Sequence, residues 1–146
     1  MPGNKLYQVS RLIERIKKYW SWGMLAQTKY QLSLSDKYLV EAKTLFEYRQ
    51  YLLGVSALQR SNDAFDVLPA LVTASKKEGK SIVNMAKIIA DAGMEHERVL
   101  EEMKMKVPGS FTWSPEQERS TELSLHSLVQ KAIELRASRV AEIKTL

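Results

Sequence analysis

The two histidines and the acidic residues near them are the side chains in this sequence with the most obvious potential for chemistry. Glu95, His96 and Glu97 are consecutive, and Glu122 lies four residues before His126. A ferritin-like dinuclear metal site needs a glutamate from each of two helices and a Glu-x-x-His pair from each of two others. No Glu-x-x-His occurs here, and three consecutive residues point in different directions on a helix. We therefore expect no metal site, and a metal-binding four-helix-bundle protein is the least favoured class.

Motifs for nucleophilic catalysis and phosphate binding are also missing. The chain contains no cysteine, which excludes disulfides, cysteine-ligated zinc and thiol catalysis. It contains neither a Gly-x-Ser-x-Gly elbow nor a glycine-rich phosphate loop. We expect no catalytic residue, no cofactor and no enzyme activity.

His96 is distinctive because it lies on an otherwise apolar stripe of a predicted helix. That stripe consists of Ile82, Ala86, Ile89, Gly93, His96, Leu100 and Met103. A buried imidazole needs a hydrogen-bond partner, so we predict a packing residue bonded to a tyrosine, a carboxylate or a backbone carbonyl. The alternative is a pH switch or a ligand site. Gly93 would allow a neighbouring helix to approach closely.

Basic residues are concentrated at the start of the chain. Residues 1–31 hold six basic side chains and one acidic side chain, which accounts for the whole net charge of +5. A possible membrane or partner surface on the first predicted helix comprises Arg11, Arg15, Lys17, Lys18, Trp20 and Trp22. Such a face can contact an anionic membrane, or it can simply be solvated. Nucleic acid is disfavoured, because the basic excess does not extend over the fold and no helix-turn-helix spacing is present.

Apolar residues at steps of three and four predict helices along most of the chain. We predict an all-α, single-domain antiparallel helical bundle of four or five long helices. Its segments are a basic amphipathic helix at 1–22, a central helical hairpin at 24–74, and completing helices at 81–105 and 114–145. The length of 146 residues is sufficient for one domain with its own hydrophobic core.

Two boundaries carry specific local signals. Pro69 should kink or break its helix around residues 66–68, because proline lacks an amide hydrogen and clashes with the preceding turn. Ser114, Pro115 and Gln117 match a capping box, which places a helix start at residue 114. No alternating apolar pattern is present, so we expect no β-strand.

Three groups of residues carry a family resemblance. They are Pro2, Gly3, Leu6, Tyr7, Arg11, Glu14 and Arg15 at the start, Leu39, Glu41, Ala42 and Leu45 in the hairpin, and Gly79, His96, Val99, Leu100 and Met103 further on. Over residues 2–104 the chain resembles an uncharacterised bacterial domain family of unknown function with a Pro-Gly-x-x-Leu-Tyr start. The resemblance implies a helical extracytoplasmic module that follows a signal peptide or a transmembrane anchor. It implies no catalytic residues, and this chain has Gln8 where the family has proline.

The preferred function is therefore a non-enzymatic binding or structural module, the soluble extracytoplasmic part of a membrane-anchored bacterial protein. Its protein partner and oligomeric state are not specified by the sequence. The competing class is a cytoplasmic adaptor for protein–protein interaction. In that interpretation Ala42, Tyr51, Ala57 and Phe65 mimic tetratricopeptide spacing, although no second copy follows at a fixed period.

Overall fold

A computed structural model describes residues 23–116 and 119–146. Within them it contains five helices and one two-stranded antiparallel hairpin. The elements are α1 (Met24–Glu47), α2 (Tyr51–Asp66), α3 (Leu68–Lys77), α4 (Val83–Lys106), β1 (Phe111–Trp113), β2 (Thr121–Leu123) and α5 (Leu125–Lys144). The all-α bundle prediction is confirmed for this part of the chain. The basic amphipathic helix predicted at residues 1–22 lies outside the described residues.

The bundle is formed by α1, by α2 with its continuation α3, and by α4 and α5. Helix α1 packs most extensively on α2, and α4 packs most extensively on α5, while α1 and α4 share a smaller contact. Helices α1 and α4 run in the same direction, because Asp36 pairs with His96 and Lys43 pairs with Glu102. The smaller contact between α1 and α4 leaves a groove between them.

The turn between α1 and α2 has an unusual backbone conformation. Arg49 has a φ of 58°, in the left-handed region where glycine is normally found. The amides of Arg49 and Gln50 donate to the carbonyls of Phe46 and Leu45, at 3.0 and 2.8 Å. This is the Schellman pattern that ends a helix, and it reverses the chain within three residues.

Pro69 breaks the second half of the hairpin, as its chemistry predicts. Helix α2 ends at Asp66, and α3 begins at Leu68 with Pro69 in its first turn. A proline there does not lose a helical hydrogen bond, because the first amides of a helix have no partner within it. The predicted break is therefore confirmed.

The predicted helix start at Ser114 and the expectation of no β-strand are both wrong. Residues 111–113 pair with residues 121–123, and α5 begins only at Leu125. Every residue from Ser114 to Glu122 is polar or proline, so a helix there would have no apolar stripe to bury. Phe111 instead packs its ring 5.0 Å from that of Tyr51, which holds the hairpin against the bundle.

Gly93 lies at a close contact between α4 and α5. A Cβ atom built on Gly93 would lie 2.5 Å from Cγ2 of Val140, so only glycine fits there. The sequence expectation of a close neighbour at Gly93 is confirmed.

Candidate functional site

A layer of polar side chains crosses the bundle between two apolar clusters. One cluster contains Leu39, Leu58, Leu100 and Val129, among others, and the second contains Leu32, Phe65, Ile89 and Val140, among others. Between the two clusters each of the four packed helices contributes one fully or almost fully buried polar residue. These are Ser35 from α1, Ser61 from α2, His96 from α4 and Arg136 from α5.

Arg136 is the centre of this polar layer and has no exposed surface. Its Nη1 donates to Oδ1 of Asn62 at 2.7 Å, its Nη2 to Oγ of Ser61 at 2.8 Å, and its Nε to Nδ1 of His96 at 3.2 Å. The guanidinium also lies 4.8 Å from the centre of the Phe65 ring, a cation–π distance. All three guanidinium nitrogens are therefore hydrogen-bonded, but only to neutral groups.

Burial of this cation affects its protonation. Desolvation lowers the pKa of Arg136 from its ordinary value to about 10, and the negative charge of Asp36 opposes part of that shift. Asp36 and Arg136 are joined by hydrogen bonds through the ring of His96, and the charge of Asp36 also acts on Arg136 through space.

His96 connects the buried cation to the surface. Arginine cannot accept a hydrogen bond, so Nδ1 of His96 is the acceptor and the ring hydrogen resides on Nε2. Nε2 then donates to Oδ1 of Asp36 at 2.7 Å. The imidazole is almost fully buried, whereas the Asp36 side chain is 54% exposed. A carboxylate is one of the three partner types expected for His96 from the sequence.

Ser35 and Ser61 join α1 to α2 within the same layer. Oγ of Ser35 donates to the carbonyl of Ser61 at 3.0 Å, and Oγ of Ser61 donates to the carbonyl of Ser35 at 2.8 Å. Because each hydroxyl satisfies a buried carbonyl of the other helix, the two backbones can approach without leaving polar atoms unpaired.

The groove between α1 and α4 has a central cavity of about 280 Å³ above His96. It is lined by Asp36, Leu39, Val40, Ala92, Glu95, His96 and Val99. Ile88 lies one helical turn before the lining residue Ala92 on α4 and is 49% exposed. We call this the central groove. It is an apolar strip with Asp36 and Glu95 on its two sides.

A second cavity of about 280 Å³ lies where α1 and α4 end, and we call it the end cavity. Its apolar floor is formed by Phe46, Tyr51, Met103 and Val107, and its charged side chains are Lys43, Glu47, Arg49 and Lys106. Lys43 lies 3.6 Å from Glu102, and this ion pair lies between the two cavities. The end cavity therefore combines an apolar floor with three cations and one carboxylate.

The other candidate residues from the sequence do not converge on these cavities. The possible membrane surface formed by Arg11, Arg15, Lys17, Lys18, Trp20 and Trp22 lies outside the described residues. His126 is exposed and bonds the carbonyl of Val107 at 3.0 Å. Among the residues described, no group of three or more histidine or acidic side chains is arranged to hold a metal ion. No helix in this same part of the chain has the length and apolarity that a membrane span requires.

Arg136 is the main site residue that sequence reasoning missed. The apolar residues of the last helix, among them Ala132, Leu135 and Val140, form a stripe at helical spacing that does not include a charged residue. A signal was present, because Arg136 lies four residues after Ala132 and four before Val140, both on the buried face. A charged residue at the centre of a buried face indicates a partner on another helix, and here that partner is His96.

Comparisons with known proteins identify no relative of this chain. The chain matches no protein-family profile, no curated protein and no solved structure.

Proposed function

We propose that this protein is a non-enzymatic binding module that holds a basic amphipathic helix of a protein partner in its central groove. The observation that carries the proposal is an apolar strip between two parallel helices that is exposed among the residues the structure describes. Val40, which lines the groove on α1, is 64% exposed, and Ile88, one turn before the lining residue Ala92 on α4, is 49% exposed. Two helices flanking an apolar groove are a common receptor for a third.

The charges beside the groove support a basic partner. Asp36 and Glu95 lie on opposite sides of the strip, one on each helix. Asp36 is held by its hydrogen bond to His96, so its carboxylate is fixed in position before binding. Glu95 pairs with Arg98 at 3.0 Å, so it is shared with a cation of the chain itself. A cation beside an apolar stripe on the partner would therefore meet chiefly the oriented carboxylate of Asp36, which favours basic over acidic helices.

A selection experiment tests the groove. We would select displayed helical peptides of about 18 residues, randomised on all faces, for binding to the full-length protein. The selected peptides should carry apolar residues at helical spacing with lysine or arginine beside them. Val40→Glu and Val99→Glu should each weaken their binding at least about tenfold, a loss of about 1.4 kcal/mol.

Val67→Glu is the matched control, because Val67 is an exposed valine at the junction of α2 and α3, away from the central groove. It should leave peptide binding unchanged. Peptides that bind all three variants equally well would refute the groove as the recognition site. Circular dichroism of each variant verifies that the bundle remains folded.

We also propose that the module is bacterial and extracytoplasmic, the soluble part of a membrane-anchored protein. The family resemblance and the concentration of basic residues in 1–31 support this placement. The codons upstream of Pro2 in the native gene provide the test, since an anchor requires about 20 apolar residues. A gene with no such segment would favour the cytoplasmic adaptor instead.

A further inference from the structure

We propose that the end cavity is a binding site for a small amphipathic anion, with an apolar body and a carboxylate, sulfonate or phosphate head. This inference concerns a different site from the central groove and does not depend on the partner helix. The cavity of about 280 Å³ is close to the lower limit for small-molecule sites. Its size therefore suits a short alkyl chain or a single aromatic ring.

The lining of the end cavity separates an apolar floor from charged walls. Phe46, Met103 and Val107 are almost fully buried, yet they border the cavity. Lys43, Arg49 and Lys106 supply three positive charges against the one carboxylate of the lining. An apolar body on the floor with an anionic head near the cations would satisfy both kinds of surface.

The backbone of Arg49 supplies an independent reason to assign this site. Its φ of 58° lies in the left-handed region, which costs a non-glycine residue conformational free energy. Glycine at this position would make the same two amide hydrogen bonds without that cost, as Gly79 does at the end of α3 with a φ of 76°. The turn itself therefore gives no reason for an arginine. Strain of this kind is concentrated at binding sites, and the Arg49 side chain lines the end cavity.

The other two cations are less diagnostic. Lys106 lies in the last turn of α4, where any cation is favourable because the helix terminus carries partial negative charge. Lys43 already pairs with Glu102. Within the described residues Arg49 forms no ion pair, so its charge is available to a ligand and it is the residue to test.

Three probes with the same tail and different heads test the proposal. Octanoate, octanol and octylamine would each be titrated into the full chain below their aggregation concentrations, with binding followed by calorimetry and by NMR shifts. Octanoate should bind at least about tenfold more tightly than octanol, which corresponds to about 1.4 kcal/mol, and octylamine should bind most weakly. The NMR shifts caused by octanoate should be centred on Phe46, Tyr51 and Met103.

Arg49→Gly separates binding from stability. It should weaken octanoate binding at least about tenfold while raising the midpoint of urea unfolding, because it removes both the cation and the backbone strain. Arg98→Ala, which removes an exposed cation of α4 that pairs with Glu95 and Glu102, is the control and should leave octanoate binding unchanged. Equal affinities for octanoate and octanol, or unchanged octanoate binding by Arg49→Gly, would overturn the proposal.

Discussion

The buried Arg136 leads to an unusual prediction, in which removing the charge harms the protein less than removing one of its neutral partners. Burial lowers the pKa of Arg136 from its ordinary value to about 10, and each pKa unit corresponds to 1.36 kcal/mol. Burial of the cation therefore costs about 3 kcal/mol. Arg136→Met removes that cost but leaves Nδ1 of His96 unpaired, at about 1 to 3 kcal/mol, and loses the contact with Phe65. The net change should stay within about 2 kcal/mol.

His96→Leu should be worse. It keeps the buried cation, removes one of its three hydrogen bonds and breaks the connection to Asp36, so it should cost about 3 to 5 kcal/mol. The double variant His96→Leu with Arg136→Met should be more stable than His96→Leu alone, by at least about 1 kcal/mol. Urea unfolding followed by circular dichroism measures all three. A His96→Leu variant as stable as Arg136→Met would refute the reasoning.

Two further measurements sharpen this test. Arg139→Met, three residues along α5, removes an exposed arginine paired with Asp66 and should cost no more than about 1 kcal/mol. The unfolded chain keeps the Arg136 proton to a pH well above 10, whereas the folded chain releases it above about pH 10. The free energy of unfolding therefore rises as the pH passes about 10, and wild type should gain about 1 kcal/mol relative to Arg136→Met between pH 8 and pH 11. A difference in unfolding free energy between wild type and Arg136→Met that does not change with pH would contradict the lowered pKa of Arg136.

Three other predictions concern packing, backbone and charge. Gly93→Ala should lower the free energy of unfolding in urea by about 1 to 3 kcal/mol, because the new Cβ would overlap Val140. Adding Val140→Ala should restore part of that loss, and strictly additive effects of the two changes would contradict the close contact. Gly79→Ala should lower the free energy of unfolding by about 1 kcal/mol through the positive φ alone, because no atom lies within 4 Å of the new Cβ. An unchanged midpoint of urea unfolding would argue against that backbone conformation. Replacing the four N-terminal basic residues by glutamine should weaken binding to phosphatidylserine vesicles, measured by sedimentation, at least about tenfold, because each basic residue near an anionic membrane contributes about 1 kcal/mol of binding free energy. Equal sedimentation of the variant and the wild type would exclude the membrane face. The residues replaced in that last variant are Arg11, Arg15, Lys17 and Lys18.

The sequence predicted the helices where a long apolar stripe coincided with a local signal. The break at Pro69 and the close contact at Gly93 each followed from one residue type and its position in a helical pattern. The helix start at Ser114 failed because a capping box acts only on a segment that also has an apolar face to bury.

The polar layer and the two cavities could be anticipated only in part. His96 was visible because it interrupts an apolar stripe, but its partners Asp36 and Arg136 are 60 and 40 residues away in sequence. The strain at Arg49 could not be read from composition either, because arginine is an ordinary residue in an exposed turn. Its φ becomes informative only when the backbone is known.

The polar layer also limits how the four helices can align. Sliding one helix along its axis by a single turn, about 5.4 Å, would move its polar residue into an apolar cluster. The polar residues of the other three helices would then lack that hydrogen-bond partner. Purely apolar clusters tolerate such slippage better, because one methyl group substitutes for another. The buried arginine, histidine and serines therefore act against misaligned assemblies, in the way that a single asparagine fixes the alignment of a coiled coil.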